Sequence, residues 1–123
     1  MFNVKIRDHI MIAHSLPDIF FGKAQQMHGA TYIVDVTFYA KELNQHNVVI
    51  DIGQANTILH KVLDLFRYQN LDSIPEFKNI LTTTEFLARY IHSKIKEEVS
   101  AIFTGKISVT LGESHVAWAS YED

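Results

Sequence analysis

Two long segments near the start of the chain alternate between apolar and polar residues, and this alternation constrains the fold more than any other feature. In Phe2–His14 the even positions are apolar, with an interruption at Asp8. In His28–Ala40 the even positions are again mostly apolar. A period of two is typical of a β-strand with one buried face. The sequence therefore predicts two strands, the first irregular around Asp8, joined by a long loop over residues 15–27.

The middle of the chain carries two helical patterns. Asp51 gives a capping signal, and apolar residues then recur at helical spacing, which predicts a first helix from about Ile52 to Phe66. Thr82 and Glu85 form a capping box before a second apolar stripe, which predicts a helix of about five turns that Gly105 stops.

The last part of the chain alternates again. Ile107–Glu113 predicts a third strand, with Glu113 on the same face as the apolar residues. A short Ser114-His115 connection leads to Val116–Tyr121, a fourth strand that closes a hairpin. The order ββααββ predicts an α+β fold, with a four-stranded antiparallel sheet and two helices on one face. No repeat or linker interrupts the sequence, so residues 1–123 are expected to form a single domain.

The amino-acid composition excludes several classes of function. The chain has 11 Lys and Arg against 14 Asp and Glu, a net charge of −3, so it lacks the positive field that nucleic acid or an anionic membrane attracts. The absence of cysteine excludes disulfides, thiolate metal sites and a cysteine nucleophile. Charges interrupt the apolar residues at the N-terminus, which is neither a signal peptide nor a membrane span. We therefore expect a cytoplasmic protein with no nucleic-acid or membrane partner.

Five short blocks stand in a fixed order along the chain. They are Ile12–Leu16, Lys23–Tyr32, Val48–Gly53, Thr83–Ala88, and Glu113-Ser114 with Ala117–Tyr121. In these blocks, their spacing and their agreement with the strand and helix pattern, the chain resembles the 6-pyruvoyl-tetrahydropterin synthases and the related 6-carboxytetrahydropterin synthases.

This resemblance implies a tunnelling fold, in which three subunits close a barrel and two barrels stack as a hexamer. Pterin sites would then lie at subunit interfaces. The open edges of a four-stranded sheet independently favour a homo-oligomer, because barrel closure removes unpaired edges. Enzymes of the family are zinc-dependent carbon–oxygen lyases that act on dihydroneopterin triphosphate, so a pterin-like small molecule is the expected partner.

The resemblance also implies a zinc ion held by three histidines, one after the first strand and two in a His-Gly-His run. The corresponding positions are His14, His28 and Ala30. Two imidazoles should hold zinc weakly unless another ligand replaces the third, and Asp18 and His115 are the candidates. The alternative is that His14 and His28 are strand-end histidines without a metal.

Two further family positions have changed. The cysteine that serves as general base corresponds to Ala24, whose methyl group cannot take a proton. An Asp-His pair after the first helix corresponds to Arg67 and Tyr68. Tyrosine, with a pKa of about 10, is a poor base near neutrality unless a neighbouring cation lowers that pKa. Tyr68 and Arg67 are therefore either a rewired acid-base pair, with Arg67 alternatively binding an anion, or an ordinary exposed helix end.

Glu113 corresponds to the family glutamate that binds the guanidine-like edge of the pterin ring, where two parallel hydrogen bonds match a carboxylate. Its parity predicts a buried or pocket-facing side chain, and a solvated hairpin glutamate is the alternative. The other histidines are expected at surface or boundary positions, namely His9, His46, His60 and His92.

Three functions fit these observations. In the first, the protein binds a pterin or related heterocycle through Glu113, and the standard lyase chemistry is lost or altered. In the second, it is an active pterin-triphosphate lyase that uses Tyr68 and Arg67. In the third, it is a non-catalytic oligomeric interaction protein. Whether the protein is an enzyme stays open at this point, because metal content and turnover would separate these functions.

Overall fold

The computed structural model describes residues 1–123 and confirms the α+β fold with its order of two strands, two helices and two strands. Three short 3₁₀ helices lie in the connections, at Ile19–Gln25, Leu71–Ser73 and Pro75–Phe77. The main elements are β1 (Phe2–His14), β2 (His28–Ala40), α1 (Ile52–Leu63), α2 (Thr84–Val99), β3 (Lys106–Ser114) and β4 (Ala117–Glu122). No helix has the length and apolar character needed to cross a membrane.

The four strands form one antiparallel sheet in the order β1-β2-β3-β4. Helix α1 packs on β1, α2 packs on β3 and β4, and the two helices contact each other, so both cover one face. Alternate residues of the strands point into this layer, and those of β2 are the most deeply buried, including Tyr32, Val34 and Val36. Burial of these side chains supplies the main stabilising term of the fold.

The predicted irregularity around Asp8 is wrong. Pairing between β1 and β2 runs without a shift from Phe2 opposite Ala40 to His14 opposite His28. Asp8 keeps its place on the inward side because Arg67 and His60 reach its carboxylate at the edge of the core. The observed register shift lies in β3 instead, between Gly112 and Ser114.

The segment between β1 and β2 is more ordered than the predicted loop. Asp18 caps the 3₁₀ helix Ile19–Gln25 by accepting a hydrogen bond from the Phe20 backbone N–H at 2.9 Å. Gly22, at φ 55°, kinks the segment in a backbone region that favours glycine. Because the helix is short and kinked, it leaves no periodic signal in the sequence.

The predicted helix ends also shift. Helix α1 begins after the Asp51 cap as predicted but ends at Leu63 rather than at Phe66. The cap of α2 is Thr83, whose hydroxyl accepts from the Phe86 N–H at 3.1 Å, so the prediction of Thr82 is wrong by one residue. This difference matters because it leaves the Thr82 hydroxyl free for another partner.

Helix α2 ends at Val99, several residues before Gly105, so this glycine does not terminate it as predicted. Position 105 requires glycine because the backbone there passes close to β2. A Cβ atom at Gly105 would lie 2.6 Å from the Tyr39 carbonyl oxygen.

Candidate functional site

One end of the sheet brings together the two predicted metal-site histidines. His14 is the last residue of β1 and His28 is the first of β2, and the antiparallel register places them opposite each other. Their ring centroids are 4.6 Å apart, with an interplanar angle of 64°. The sheet thus brings His14 and His28 together as the sequence predicts.

Hydrogen bonds orient both imidazoles. His14 is 2% exposed, and its Nδ1 lies 3.0 Å from the hydroxyl of Thr82, which is also buried. Burial lowers the pKa of His14, and His28 acts in the same direction, so its neutral form is favoured. The Nδ1–H of His28 donates to the Gln26 carbonyl at 2.8 Å. Because each Nδ1 has a partner, the Nε2 atoms of both rings remain without a hydrogen bond.

A third metal ligand is missing from this chain. Ala30 lies two residues after His28 on the same face of β2 and carries no donor atom. The chain has no group of three or more His, Cys, Asp or Glu side chains placed to hold a metal ion. Asp18 caps the 3₁₀ helix, and His115 lies in the connection between β3 and β4, so neither completes the pair. The residues present therefore do not fit the three-histidine zinc site that the resemblance implies.

Asp72 belongs to this end of the sheet but was missed in the sequence. Its carboxylate accepts hydrogen bonds from the backbone N–H of Ser15 at 3.1 and 3.2 Å and from the Ser15 hydroxyl at 2.5 Å. A parallel β-bridge between Ala13 and Asn70 joins the segment that contains Asp72 to β1. The charge of Asp72 opposes the lowering of the His14 pKa. No local pattern reveals the contact, because Asp72 and Ser15 are 57 residues apart.

Glu113 lies in the register shift of β3, between Gly112 and Ser114. Its side chain is exposed in this chain, so a buried position is wrong, whereas an open pocket position remains compatible with the structure. The irregular pairing accounts for the exposure, since a β-bulge re-aims side chains and ends regular pairing. Strand β3 pairs with β2 up to Ile33 opposite Gly112, towards the end of β2 that begins at His28, so Glu113 lies towards the same end of the sheet. The charge of Glu113 acts to raise the pKa of both His14 and Tyr32.

A family model described as 6-pyruvoyl tetrahydropterin synthase matches residues 3–123. The chain belongs to this family. A 6-pyruvoyl tetrahydrobiopterin synthase of Dictyostelium discoideum is 31% identical over 77 residues, which are 61% of this chain. That match spans only 57% of the relative's own length.

Solved structures of the family share the fold. The Caenorhabditis elegans 6-pyruvoyl tetrahydropterin synthase aligns with a TM-score of 0.87 at 24% identity, covering 99% of this chain and 95% of that one. The Plasmodium falciparum 6-pyruvoyl tetrahydropterin synthase aligns with a TM-score of 0.76 at 16% identity, covering 99% and 97%. At these identities the likeness establishes the tunnelling fold of the 6-pyruvoyl tetrahydropterin synthase family and no more.

Within this synthase fold, Arg67 makes a set of structural contacts. Its Nε donates to the Asp64 carboxylate at 3.0 Å, and its Nη2 lies 3.4 Å from the Asp8 carboxylate. Its Nη1 donates to the His9 carbonyl at 2.9 Å. The hydrogen bonds of Arg67 therefore go to β1 and to the end of α1, not to Tyr68.

Tyr68 is presented at the surface. Its backbone adopts φ 59°, an uncommon conformation for a non-glycine residue, and its N–H donates to the Met11 carbonyl at 2.8 Å. The side chain is 78% exposed. Tyr68 is thus held by its backbone at the edge of β1, and its role as an acid-base group remains a prediction.

The remaining residues that the sequence singled out are Ala24 and four histidines. Ala24 lies in the 3₁₀ helix, and its carbonyl accepts from the Leu16 N–H at 3.0 Å. His9, His46 and His60 are exposed, as predicted. The prediction for His92 is wrong, because it is only 4% exposed and lies between α2 and the sheet.

Proposed function

We propose that this member of the family binds a pterin or a related heterocycle through Glu113, and that the standard lyase chemistry on dihydroneopterin triphosphate is lost or altered. The observation that supports binding is the position of Glu113, an exposed carboxylate at the sheet end that also holds His14 and His28. A ring with a guanidine-like edge offers two parallel N–H donors, which match the two oxygens of one carboxylate. Because Glu113 has no hydrogen-bond partner within the chain, both oxygens are open to such an edge.

The proposal of altered chemistry rests on the groups that could move a proton. Ala24 offers only a methyl group. The Asp72 carboxylate already accepts three hydrogen bonds from Ser15. The guanidinium of Arg67 binds the carboxylates of Asp64 and Asp8. The Nε2 nitrogens of His14 and His28 are basic atoms at this end of the sheet that have no hydrogen bond. A zinc ion in this family would act as a Lewis acid, but two histidines do not provide its site, and no step here depends on it.

We also propose that the protein works as a homo-oligomer, a trimer or a hexamer. Strands β1 and β4 are the two edges of the sheet, and only the last part of β1 is covered, by the segment after α1. Unpaired edges of this kind are removed when subunits close a barrel. Sedimentation at micromolar concentration should show at least a trimer, and a monomer alone would contradict this.

The binding proposal is tested with Glu113→Gln, which keeps the shape of the side chain and removes its charge. We expect the affinity for a 6-substituted pterin such as neopterin to fall by roughly 1.5–3 kcal/mol, the range for hydrogen bonds to a charged group. Calorimetry or pterin fluorescence would measure the change.

Glu122→Gln is the matched control for this substitution. Glu122 is an exposed strand glutamate of the same sheet, and it contacts Lys106 at 2.6 Å rather than the His14 end. Its substitution should leave the affinity unchanged. Equal affinities of wild type and Glu113→Gln would refute the role of Glu113.

The lyase alternative is tested by turnover. A positioned general acid or base contributes about 10²–10⁴-fold, so loss of the family groups should put turnover of dihydroneopterin triphosphate that far below the usual enzyme range of about 1–10³ s⁻¹. Turnover within that range, abolished by Tyr68→Phe, would support the Tyr68 and Arg67 pair instead.

A further inference from the structure

The hydroxyl of Tyr32 is the one buried side-chain polar group of the chain that lacks a hydrogen-bond partner. Tyr32 is 0% exposed and belongs to the hydrophobic core between the sheet and the helices. Buried polar groups are nearly always hydrogen-bonded, because an unpaired one has lost its water without compensation. An unpaired buried hydroxyl therefore requires an explanation, and a ligand that completes the bond is one.

Tyr32 and Glu113 lie near each other on adjacent strands. Pairing between β2 and β3 extends as far as Ile33 opposite Gly112, and Tyr32 and Glu113 are each the next residue along these antiparallel strands. Burial raises the pKa of Tyr32, and the charges of Glu113 and Glu85 act in the same direction. The phenol thus stays protonated and can donate.

The chemistry of a pterin ring fits this pair of groups. Along one edge, a pterin presents the 2-amino N–H, the N3–H and then the 4-oxo oxygen, which are two donors followed by an acceptor. A carboxylate matches the two donors, and a hydroxyl next to it matches the acceptor. Glu113 and Tyr32, near each other on adjacent strands, supply these two kinds of group.

We propose that the Tyr32 hydroxyl donates a hydrogen bond to the 4-oxo oxygen of the pterin whose guanidine-like edge Glu113 binds, and so selects for a 4-oxo ring. This inference rests on the proposed function, since it concerns the same site. Tyr32 is then a specificity residue, distinct from the groups that would move protons.

Ligand binding must uncover the hydroxyl, because Tyr32 is fully buried while Glu113 is exposed. The neighbour that would move is Thr84, in the first turn of α2. Its hydroxyl lies near that of Tyr32 and lowers the pKa of Tyr32 by hydrogen bonding, against the effect of burial, but the contact does not have the geometry of a full hydrogen bond.

The first test measures the unliganded protein. Tyr32→Phe removes a hydroxyl that has no partner, so the thermal midpoint should stay the same or rise. Tyr90→Phe is the matched control, because the Tyr90 hydroxyl donates to the Glu76 carboxylate at 2.5 Å, and its loss should lower the midpoint. A drop for Tyr32→Phe as large as that of Tyr90→Phe would show that the hydroxyl already has a partner and would overturn the inference.

The second test compares a pterin with its 4-thioxo analogue, which keeps both donors and replaces the oxygen acceptor by a weakly accepting sulfur. Wild type should prefer the 4-oxo ring by about tenfold, the effect of one net hydrogen bond. Tyr32→Phe should abolish this preference by weakening only the 4-oxo ligand. Glu113→Gln should weaken both ligands and keep their ratio.

The outcomes separate the two proposals. If wild type binds the pterin and Tyr32→Phe keeps the full preference, the inference about Tyr32 is wrong and the proposed function stands. If Glu113→Gln binds as well as wild type, the proposed role of Glu113 is wrong. If wild type binds neither ring, both proposals are wrong.

Discussion

Two buried histidines, His14 and His92, lie in similar environments and differ in what surrounds their nitrogens. The Nε2 of His92 is 3.1 Å from both the Ile107 carbonyl and the Asp123 carboxylate. That carboxylate also accepts from the Ile107 N–H at 2.9 Å and binds Lys96. His14 has a single partner, the Thr82 hydroxyl, and its Nε2 is free beside His28. Burial alone therefore does not distinguish the two histidines, whereas the number of their unused polar atoms does.

The helix-free face of the sheet shows the same contrast. Arg7 donates to both oxygens of Asp35 at 2.7 and 3.0 Å, so the pair is bidentate and has no need of a ligand. The Tyr32 hydroxyl is different, because it is buried and lacks a hydrogen-bond partner within the chain. The Arg7–Asp35 pair is complete within the chain, whereas this hydroxyl is not.

The largest expected effect comes from adding a ligand atom at the end of the sheet that holds His14 and His28. Ala30→His places a third imidazole on the face of His14 and His28, as a tetrahedral zinc with one open position requires. Zinc affinity should rise by more than the roughly 10–100-fold attributed to supporting residues of metal sites. Elemental analysis and competition with a chelator would measure the change.

Thr31→His is the control for this zinc prediction, because residue 31 is adjacent in sequence but points to the opposite face of β2. It should gain no zinc. Wild type purified without added metal should carry little. Stoichiometric zinc in wild type that resists mild chelation would mean that another group completes the site in the assembled protein.

A smaller effect is expected on the free energy of unfolding, which should fall by different amounts when His14 and His92 are replaced. Replacement by phenylalanine keeps a ring in each place and removes the nitrogens. His92→Phe removes one hydrogen-bond donor from both the Ile107 carbonyl and the Asp123 carboxylate and should cost about 1–3 kcal/mol of unfolding free energy. His14→Phe frees only the Thr82 hydroxyl, which can rotate, and should cost about 0.5–1.5 kcal/mol. Urea unfolding would measure both, and a larger loss for His14→Phe would reverse the comparison.

The smallest effect concerns the Arg7–Asp35 pair and depends on pH. The hydrogen bond from Arg7 holds the pKa of Asp35 below its ordinary value of 3.8. As pH falls, the unfolded chain then takes up this proton before the folded chain does. The stabilisation is therefore present above about pH 4 and is lost as pH falls through the lower folded value.

Arg7→Gln should accordingly be slightly less stable than wild type near pH 6, and the difference should disappear in strong acid. Unfolding curves at several pH values would show this. In an Asp35→Asn background the same substitution should have no pH-dependent effect. A difference between wild type and Arg7→Gln that is equal at all pH values would mean that the ion pair does not cause it.

Local patterns in the sequence determined most of the architecture. Alternation predicted the first three strands, the short Ser114-His115 connection predicted the fourth, and the apolar stripes predicted both helices. Burial of one face acts on neighbouring residues at a fixed period, which is why such patterns are visible in a sequence. The resemblance of five short blocks to the family predicted that His14 and His28 lie together. The cap of α2 was ambiguous in the sequence, because Thr82 and Thr83 are equally good caps and only one of them can occupy the position.

The tertiary structure alone decided what the polar groups do. Thr82 binds His14, which is 68 residues away, and this leaves the cap to Thr83. Arg67 binds Asp8 across 59 residues. His92 is buried because β3 passes beside it. Hydrogen bonds between residues distant in sequence have no period, so neither alternation nor a helical stripe could reveal them. The unpartnered hydroxyl of Tyr32 can be recognised only in the structure, once the partners of all other buried polar groups are known.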